Sequence, residues 1–130
     1  MATNGLLGGL LRLVVADASS LVEYLLGTQA SEHVKVVLRD LDADLHVPAL
    51  CDVEVAAALR RGIAEKLFLS ARAQEALEDY LDLPLTRHGH QSLLQKILEL
   101  RSNFSAYDAA CAALAENLKA ELLTADNPLR

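Results

Sequence analysis

Aromatic side chains are scarce in this 130-residue chain, which holds three Tyr, two Phe and no Trp. Its core must therefore be filled by Leu, Val, Ile and Ala, and a hydrophobic content of 52% supplies them. Cysteine is almost missing too. Cys51 and Cys111 stand apart, with no CxxC pair and no histidine set beside either. That excludes a disulfide framework and a structural zinc site, and it predicts a reducing, cytoplasmic setting. No apolar run reaches the ~18 residues of a membrane span. The run at 5–11 lacks the preceding basic segment of a signal peptide and passes through Arg12 into a strand pattern. A soluble protein with no membrane role is expected. Positive charge is also short: the net charge of −6 argues against holding nucleic acid through a broad basic field. An enzyme that binds RNA through metal ions in an acidic pocket escapes that objection, provided some basic residues line the approach.

Along the chain, the apolar run Leu11 to Ala16, stopped by Asp17, reads as a buried strand. Ser19 and Ser20 open a helix through Leu26, with Gly27 as its stop. Ser31 caps a second helix whose apolar face is Val34, Val36, Val37, Leu38 and Leu41. Leu45 to Val47 is a short strand. Pro48 suits the first turn of a helix that runs to Arg61 and ends at Gly62. A helix over 70–80, a brief strand over 83–85, and helices over 90–100 and 105–117 follow. Glu121 to Thr124 is a further strand, stopped by Asp126, with Pro128 beyond it. Strands alternating with helices predict an α/β fold, a parallel sheet covered on both faces, in one domain without repeats or linkers.

Four acids stand where such a sheet places its chemistry. Ligands of an open parallel sheet bind outside the carboxyl ends of the strands, and Asp17 and Asp126 each follow a predicted strand. Each also has a simpler reading as a strand stop and helix cap. Glu54 lies in a helix that is apolar on nearly every side and so reads as buried, where a carboxylate must be paired, protonated or metal-bound. Asp52, beside it, is explained by the helix dipole, which favours Glu54 as the functional acid. Asp108 follows Ser105 by three residues, the spacing of a capping box, and capping would hold its carboxylate rigidly at a helix mouth. Four acids in one pocket repel one another unless a cation neutralises them. Oxygen-only ligands favour Mg2+ or Mn2+ over zinc. The chemistry this implies is metal-assisted phosphodiester hydrolysis.

These segments resemble the PIN-domain ribonucleases. Val14 to Val22, carrying Asp17 and Ser19, resembles their opening strand and turn. Val47 to Arg61, carrying Glu54, resembles their acidic helix, and Tyr107 to Ala115, carrying Asp108, their third acidic motif. Leu122 to Asp126 resembles the closing strand. The resemblance spans Val14 to Asp126 and implies a PIN-like three-layer α/β/α sandwich. It implies an Mg2+- or Mn2+-dependent endoribonuclease with Asp17, Glu54, Asp108 and Asp126 as metal ligands, Ser19 supporting Asp17 and Thr124 in a similar supporting part. The small size and the stretch Leu83 to His88 are most similar to VapC-type toxins, which pair with a small VapB-like antitoxin and form homodimers. In such toxins the first acid comes early, so 1–10 reads as an N-terminal extension of a single 1–130 domain.

Other readings fare worse. A receiver domain needs an acid pair before its first helix and a late Lys, and only Asp17 stands there. No glycine loop ending in Lys follows a strand, which excludes a P-loop. A PIN fold serving only as a protein-binding module is the remaining alternative, and intact acids at all four positions favour the enzyme. Arg60, Arg61, Arg87, Lys96 and Arg101 either supply phosphate contacts or are scattered surface charges. His88 and His90 flank Gly89 in a predicted loop, without a third ligand nearby for a metal. The apolar positions of the first two helices, Leu21, Val22, Leu25, Leu26, Val34, Val37, Leu38 and Leu41, are expected to leave a surface for self-association and antitoxin binding.

Overall fold

The computed structural model describes residues 11–27 and 32–125. Ser31, Asp126 and Pro128, to which the sequence assigns a cap, a metal ligand and a strand stop, lie outside the described residues. In chain order the elements are β1 (Arg12–Ala16), α1 (Ala18–Leu26), α2 (Glu32–Arg39), β2 (Ala43–Pro48), α3 (Cys51–Ala64), α4 (Ser70–Asp82) and β3 (Leu85–His88). A 3₁₀ turn (Gln91–Leu93), α5 (Leu94–Glu99), α6 (Ala106–Leu118) and β4 (Glu121–Leu123) complete them. The sheet is parallel throughout, in the order β3-β2-β1-β4.

Side chains of a strand alternate between faces, and β1 divides the core accordingly. Val14 and Ala16 join Leu45, Val47 and Leu123 under α1 to α4, in a cluster that includes Leu21, Val34, Val37, Val55 and Tyr80. Val15 turns the other way, to Leu93, Cys111, Ala113 and Leu114 beneath α5 and α6. The result is the three-layer α/β/α sandwich the sequence predicts. Arg12 fastens the amino end of β1, with Nε 2.6 Å from Glu121 and Nη1 3.2 Å from Asp40. These three side chains are about one-third exposed, so the network contributes modestly to stability.

Several local expectations are corrected. Pro48 closes β2 instead of opening α3; the Ala49 amide donates to the His88 carbonyl at 2.8 Å, and the helix starts only at Cys51. Gly62 does not end α3. It sits inside the helix because a Cβ there would collide with the Phe68 ring, so the residue is there for close packing of a ring. Gly27 does end α1, at φ +67° in the left-handed region, with its amide donating to the Tyr24 carbonyl. The apolar faces of α1 and α2 are spent on the core. Leu21, Val34 and Val37 are fully buried, and Val22, Leu25, Leu26 and Leu38 pack against them. Of the positions expected to form an interface, only Leu41 stands free in solvent. Leu25→Glu would therefore disturb folding and cannot report on assembly alone.

His88 lies in β3, in register with Pro48, and not in a loop. Its Nε2 is 2.8 Å from His46 Nδ1, which ties the edge strand to β2. His46 Nε2 lies 3.0 Å from Asp44 Oδ2 without the alignment of a hydrogen bond. The nitrogen pair needs one donor and one acceptor, so double protonation sets two N–H groups against each other. Burial, and then the His46 charge, hold His88 below the usual histidine range. A depressed pKa means the contribution is present above the unfolded value of about 6.5 and is lost as pH falls through the folded value. The melting temperature should therefore drop between pH 7 and pH 5, and the drop should be smaller for His88→Asn. Parallel melting curves for the two proteins would remove this role from the pair.

Candidate metal centre

The carboxyl ends of β1 and β4 lie side by side, Ala16 opposite Leu123, with the Asp17 amide donating to the Leu123 carbonyl at 3.0 Å. Asp17 leaves β1 and caps α1, its Oδ1 accepting the Ser20 amide at 2.9 Å and the Ser19 hydroxyl at 2.8 Å. Ser19 Oγ accepts the Ala125 amide at 3.4 Å, so one hydroxyl joins the first acid to the end of β4 just before Asp126. Capping is therefore compatible with a functional role for Asp17. Both side-chain bonds of Asp17 fall on Oδ1, leaving Oδ2 without a hydrogen-bond partner among the described residues. The residue is 5% exposed and forms no ion pair among the described residues. A carboxylate oxygen so placed is open to a cation.

The amino end of α6 reaches the same edge. Tyr107 Oη accepts the Ala18 amide at 2.9 Å, bracing the turn that carries Asp17. Ser105 caps α6 by accepting the Asp108 amide at 3.1 Å. The return half of a capping box is not made, and the Asp108 carboxylate has no hydrogen bond or ion pair among the described residues. Asp17 and Asp108 act electrostatically on one buried group: the Cys111 thiol is pushed up to about 12, chiefly by burial, with both carboxylates adding to the rise. Cys51, at the start of α3, is likewise raised by burial first, then by Asp52 and Asp17. Both thiols are protonated at neutral pH and inert, and they also interact with Tyr107.

Glu54 lies in the first turn of α3, after β2. The expectation of burial on all sides fails there. Only Cys51, Val55, Leu59 and Gly62 of α3 are buried, Val53 is 61% exposed, and Glu54 is half-buried. The alanines of this helix are small instead of enclosed. The preference for Glu54 over Asp52 gains a different support. Tyr80 donates to Asp52 at 2.6 Å and Arg87 Nε at 3.0 Å, with Arg87 stacked over the Tyr80 ring, so Asp52 is fully engaged in joining α3, α4 and β3. Glu54 has no hydrogen bond or ion pair among the described residues. Among those residues, no three acidic, His or Cys side chains are drawn together tightly enough to hold an ion unaided. The donors that Asp17, Glu54 and Asp108 present are all carboxylate oxygens, which fit Mg2+ or Mn2+.

Sequence reasoning missed Tyr107. Its neighbour Asp108 carried the motif, and nothing local signals that a phenol will accept an amide 89 residues earlier. Tyr107→Phe should destabilise the fold by about 1–3 kcal/mol, because the buried Ala18 amide loses its acceptor. It should also lower activity by roughly 10–100-fold, as loss of a ligand's support does. Denaturant unfolding checks the first figure, and a stability within ~0.3 kcal/mol of the parent would contradict it.

A doubly covered parallel sheet with acidic side chains at its carboxyl edge defines the class of protein. A family model of the PIN domain matches residues 14–130. Ribonuclease VapC9 of Mycobacterium tuberculosis is 38% identical over 114 residues, 88% of this chain and 86% of that protein. Ribonuclease VapC12 of the same organism is 35% identical over 117 residues, covering 90% and 89%. The fold is shared with the crystal structure of M. tuberculosis VapC20, described as a toxin that cleaves the sarcin–ricin loop, at TM-score 0.63 and 14% identity over 88% of this chain and 91% of that one. The chain belongs to the PIN-domain family, among its VapC ribonucleases.

Proposed function

We propose that this protein is an Mg2+- or Mn2+-dependent endoribonuclease, the toxin of a toxin–antitoxin pair, and that Asp17, Glu54, Asp108 and Asp126 hold the metal. The observation that carries the site is Asp17, a 5%-exposed carboxylate that among the described residues has no ion pair and hydrogen bonds on Oδ1 alone. A bound divalent ion supplies an activated water and stabilises charge on the phosphoryl group in phosphodiester hydrolysis. The chain's own residues prepare for it. Ser19 donates to Asp17 Oδ1 and aims the other oxygen, while its bond from Ala125 keeps the end of β4 beside β1. Thr124, next in line on that strand end, is assigned a similar supporting part. Tyr107 holds the α1 turn, and the Ser105 cap fixes the first turn of α6 that carries Asp108.

The VapC relatives support a VapB-like antitoxin as partner and RNA as substrate, and a homodimer is part of the same proposal. Residues 1–130 are read as a single domain, with 1–10 an extension before the family match. The unpaired buried thiols Cys51 and Cys111 fit a cytoplasmic protein, and among the described residues no helix is long and apolar enough to cross a membrane. The test is cleavage of total RNA with Mg2+, with Mn2+ and in EDTA, with the new ends mapped. Discrete internal cuts that vanish in EDTA are expected. Metal-independent cutting, or no cutting with either ion, refutes the proposal.

A further inference from the structure

We infer that Arg60 and Arg61, on the outer face of α3, form the seat for the RNA backbone beside the metal centre. The inference rests on the ribonuclease reading and names the surface that holds the substrate. Within the described residues, nearly every arginine is committed. Arg12 is bound by Asp40 and Glu121, Arg72 by Glu75 and the Leu25 carbonyl, Arg87 by Asp52, and Arg101 by the Leu98 carbonyl. Arg39 stacks on Tyr24. Arg60 and Arg61 alone among them have no partner among the described residues, and both are exposed. They flank an open groove of about 340 Å³ whose remaining lining is Ala57 and Ala64.

The helix sets this groove in line with the site. Glu54, Ala57, Arg61 and Ala64 follow the spacing of one helical face, and Arg61 lies seven residues beyond Glu54, ~10 Å along the axis. Small alanines lower the floor between the guanidinium groups, so a chain can lie against the helix. A chain of phosphates is the occupant this chemistry selects. Guanidinium forks match phosphate oxygens, and in a protein of net charge −6 two adjacent unneutralised arginines mark one of its few anion-attracting places. Held there, an RNA strand passes Glu54 two turns further up the same helix. Net negative charge and RNA binding are thereby reconciled: metal neutralises the acids, and a local basic rim supplies the rest of the grip.

The test compares the parent with Arg60→Ala/Arg61→Ala, Arg60→Lys/Arg61→Lys, and the control Lys35→Ala/Lys119→Ala, which removes the same charge elsewhere. Binding of a fluorescein-labelled single-stranded RNA in EDTA is measured across a salt series, and cleavage kinetics are measured with Mg2+. The arginine-to-alanine pair should bind at least ~10-fold more weakly, with a salt slope shallower by roughly 1–1.5. KM should rise with kcat within twofold, and the lysine pair should recover the slope. If that alanine variant, folded by thermal melting, binds and titrates as the parent does, or if the control loses as much, the inference is overturned while the ribonuclease reading stands. A parent that neither binds nor cuts RNA overturns both.

Discussion

Asp17→Asn is expected to lose RNA cleavage by more than ~100-fold, beyond the 10–100-fold that follows from removing a ligand's supporting partner. It should nonetheless melt at or above the parent temperature when no divalent ion is added. Both outcomes follow from how Asp17 is held. Its Oδ1 accepts the Ser20 amide and the Ser19 hydroxyl, and the Asn side-chain oxygen can accept both. Asn caps helices as well as Asp does, so α1 should keep its start. What disappears is one negative charge in a buried place, where no cationic side chain among the described residues offsets it. In the metal-free protein that charge is a liability, while the ion requires it. Activity and melting should thus move in opposite directions, with the added stabilisation that Mg2+ gives the parent largely absent in the variant. A folded variant that cleaves within tenfold of the parent would remove Asp17 from the site.

Leu21→Ala carries the largest expected effect on stability. Leu21 is fully buried in α1, one turn past the Asp17 cap, and packs in the cluster formed by Val14, Ala16, Val47 and Leu123 of the sheet with Val55 of α3. Truncating such a leucine removes its transfer free energy and leaves a cavity, about 2–5 kcal/mol together. Against a total of roughly 5–15 kcal/mol this is a large fraction, and a fall in melting temperature on the order of 10 °C is expected. Because the same helix seats Asp17, residual activity should fall in step with the folded population instead of showing a separate loss. Urea unfolding of parent and variant, with activity measured along the curve, checks this. A loss below ~1 kcal/mol would show that α1 repacks freely and does not anchor the site.

What could be read in the sequence was local. An apolar run broken by an acid located β1 and Asp17, Ser105 announced its own cap, and Gly27 its left-handed turn, because each is decided by neighbours within four residues. Gly62 misled because its reason is the Phe68 ring folded back onto the helix. Pro48 misled because its residue type suits both a strand end and a first helical turn, and only pairing with β3 decides between them. Glu54 was preferred to Asp52 for a burial that does not exist, and what now separates the two is that Asp52 has partners. Asp52 is occupied by Arg87, 35 residues away, and Tyr80, 28 away. Contacts of that range, like the Tyr107 bond to Ala18, leave no periodicity to detect. The apolar faces of α1 and α2 show the same limit, since amphipathic helices show which side is apolar and not what covers it.

The proposed divalent ion sits at the carboxyl ends of β1 and β4, against the first turns of α3 and α6. Paramagnetic broadening of backbone amide signals by substoichiometric Mn2+ tests it most directly. Selective loss of signals is expected around Asp17 to Ser20, Asp52 to Val55, Tyr107 to Ala109 and Thr124 to Ala125, with the Asp17→Asn variant broadened far less at the same Mn2+ concentration. Broadening centred on another acidic surface, such as Asp40 to Asp44, with these four segments left sharp, would contradict it.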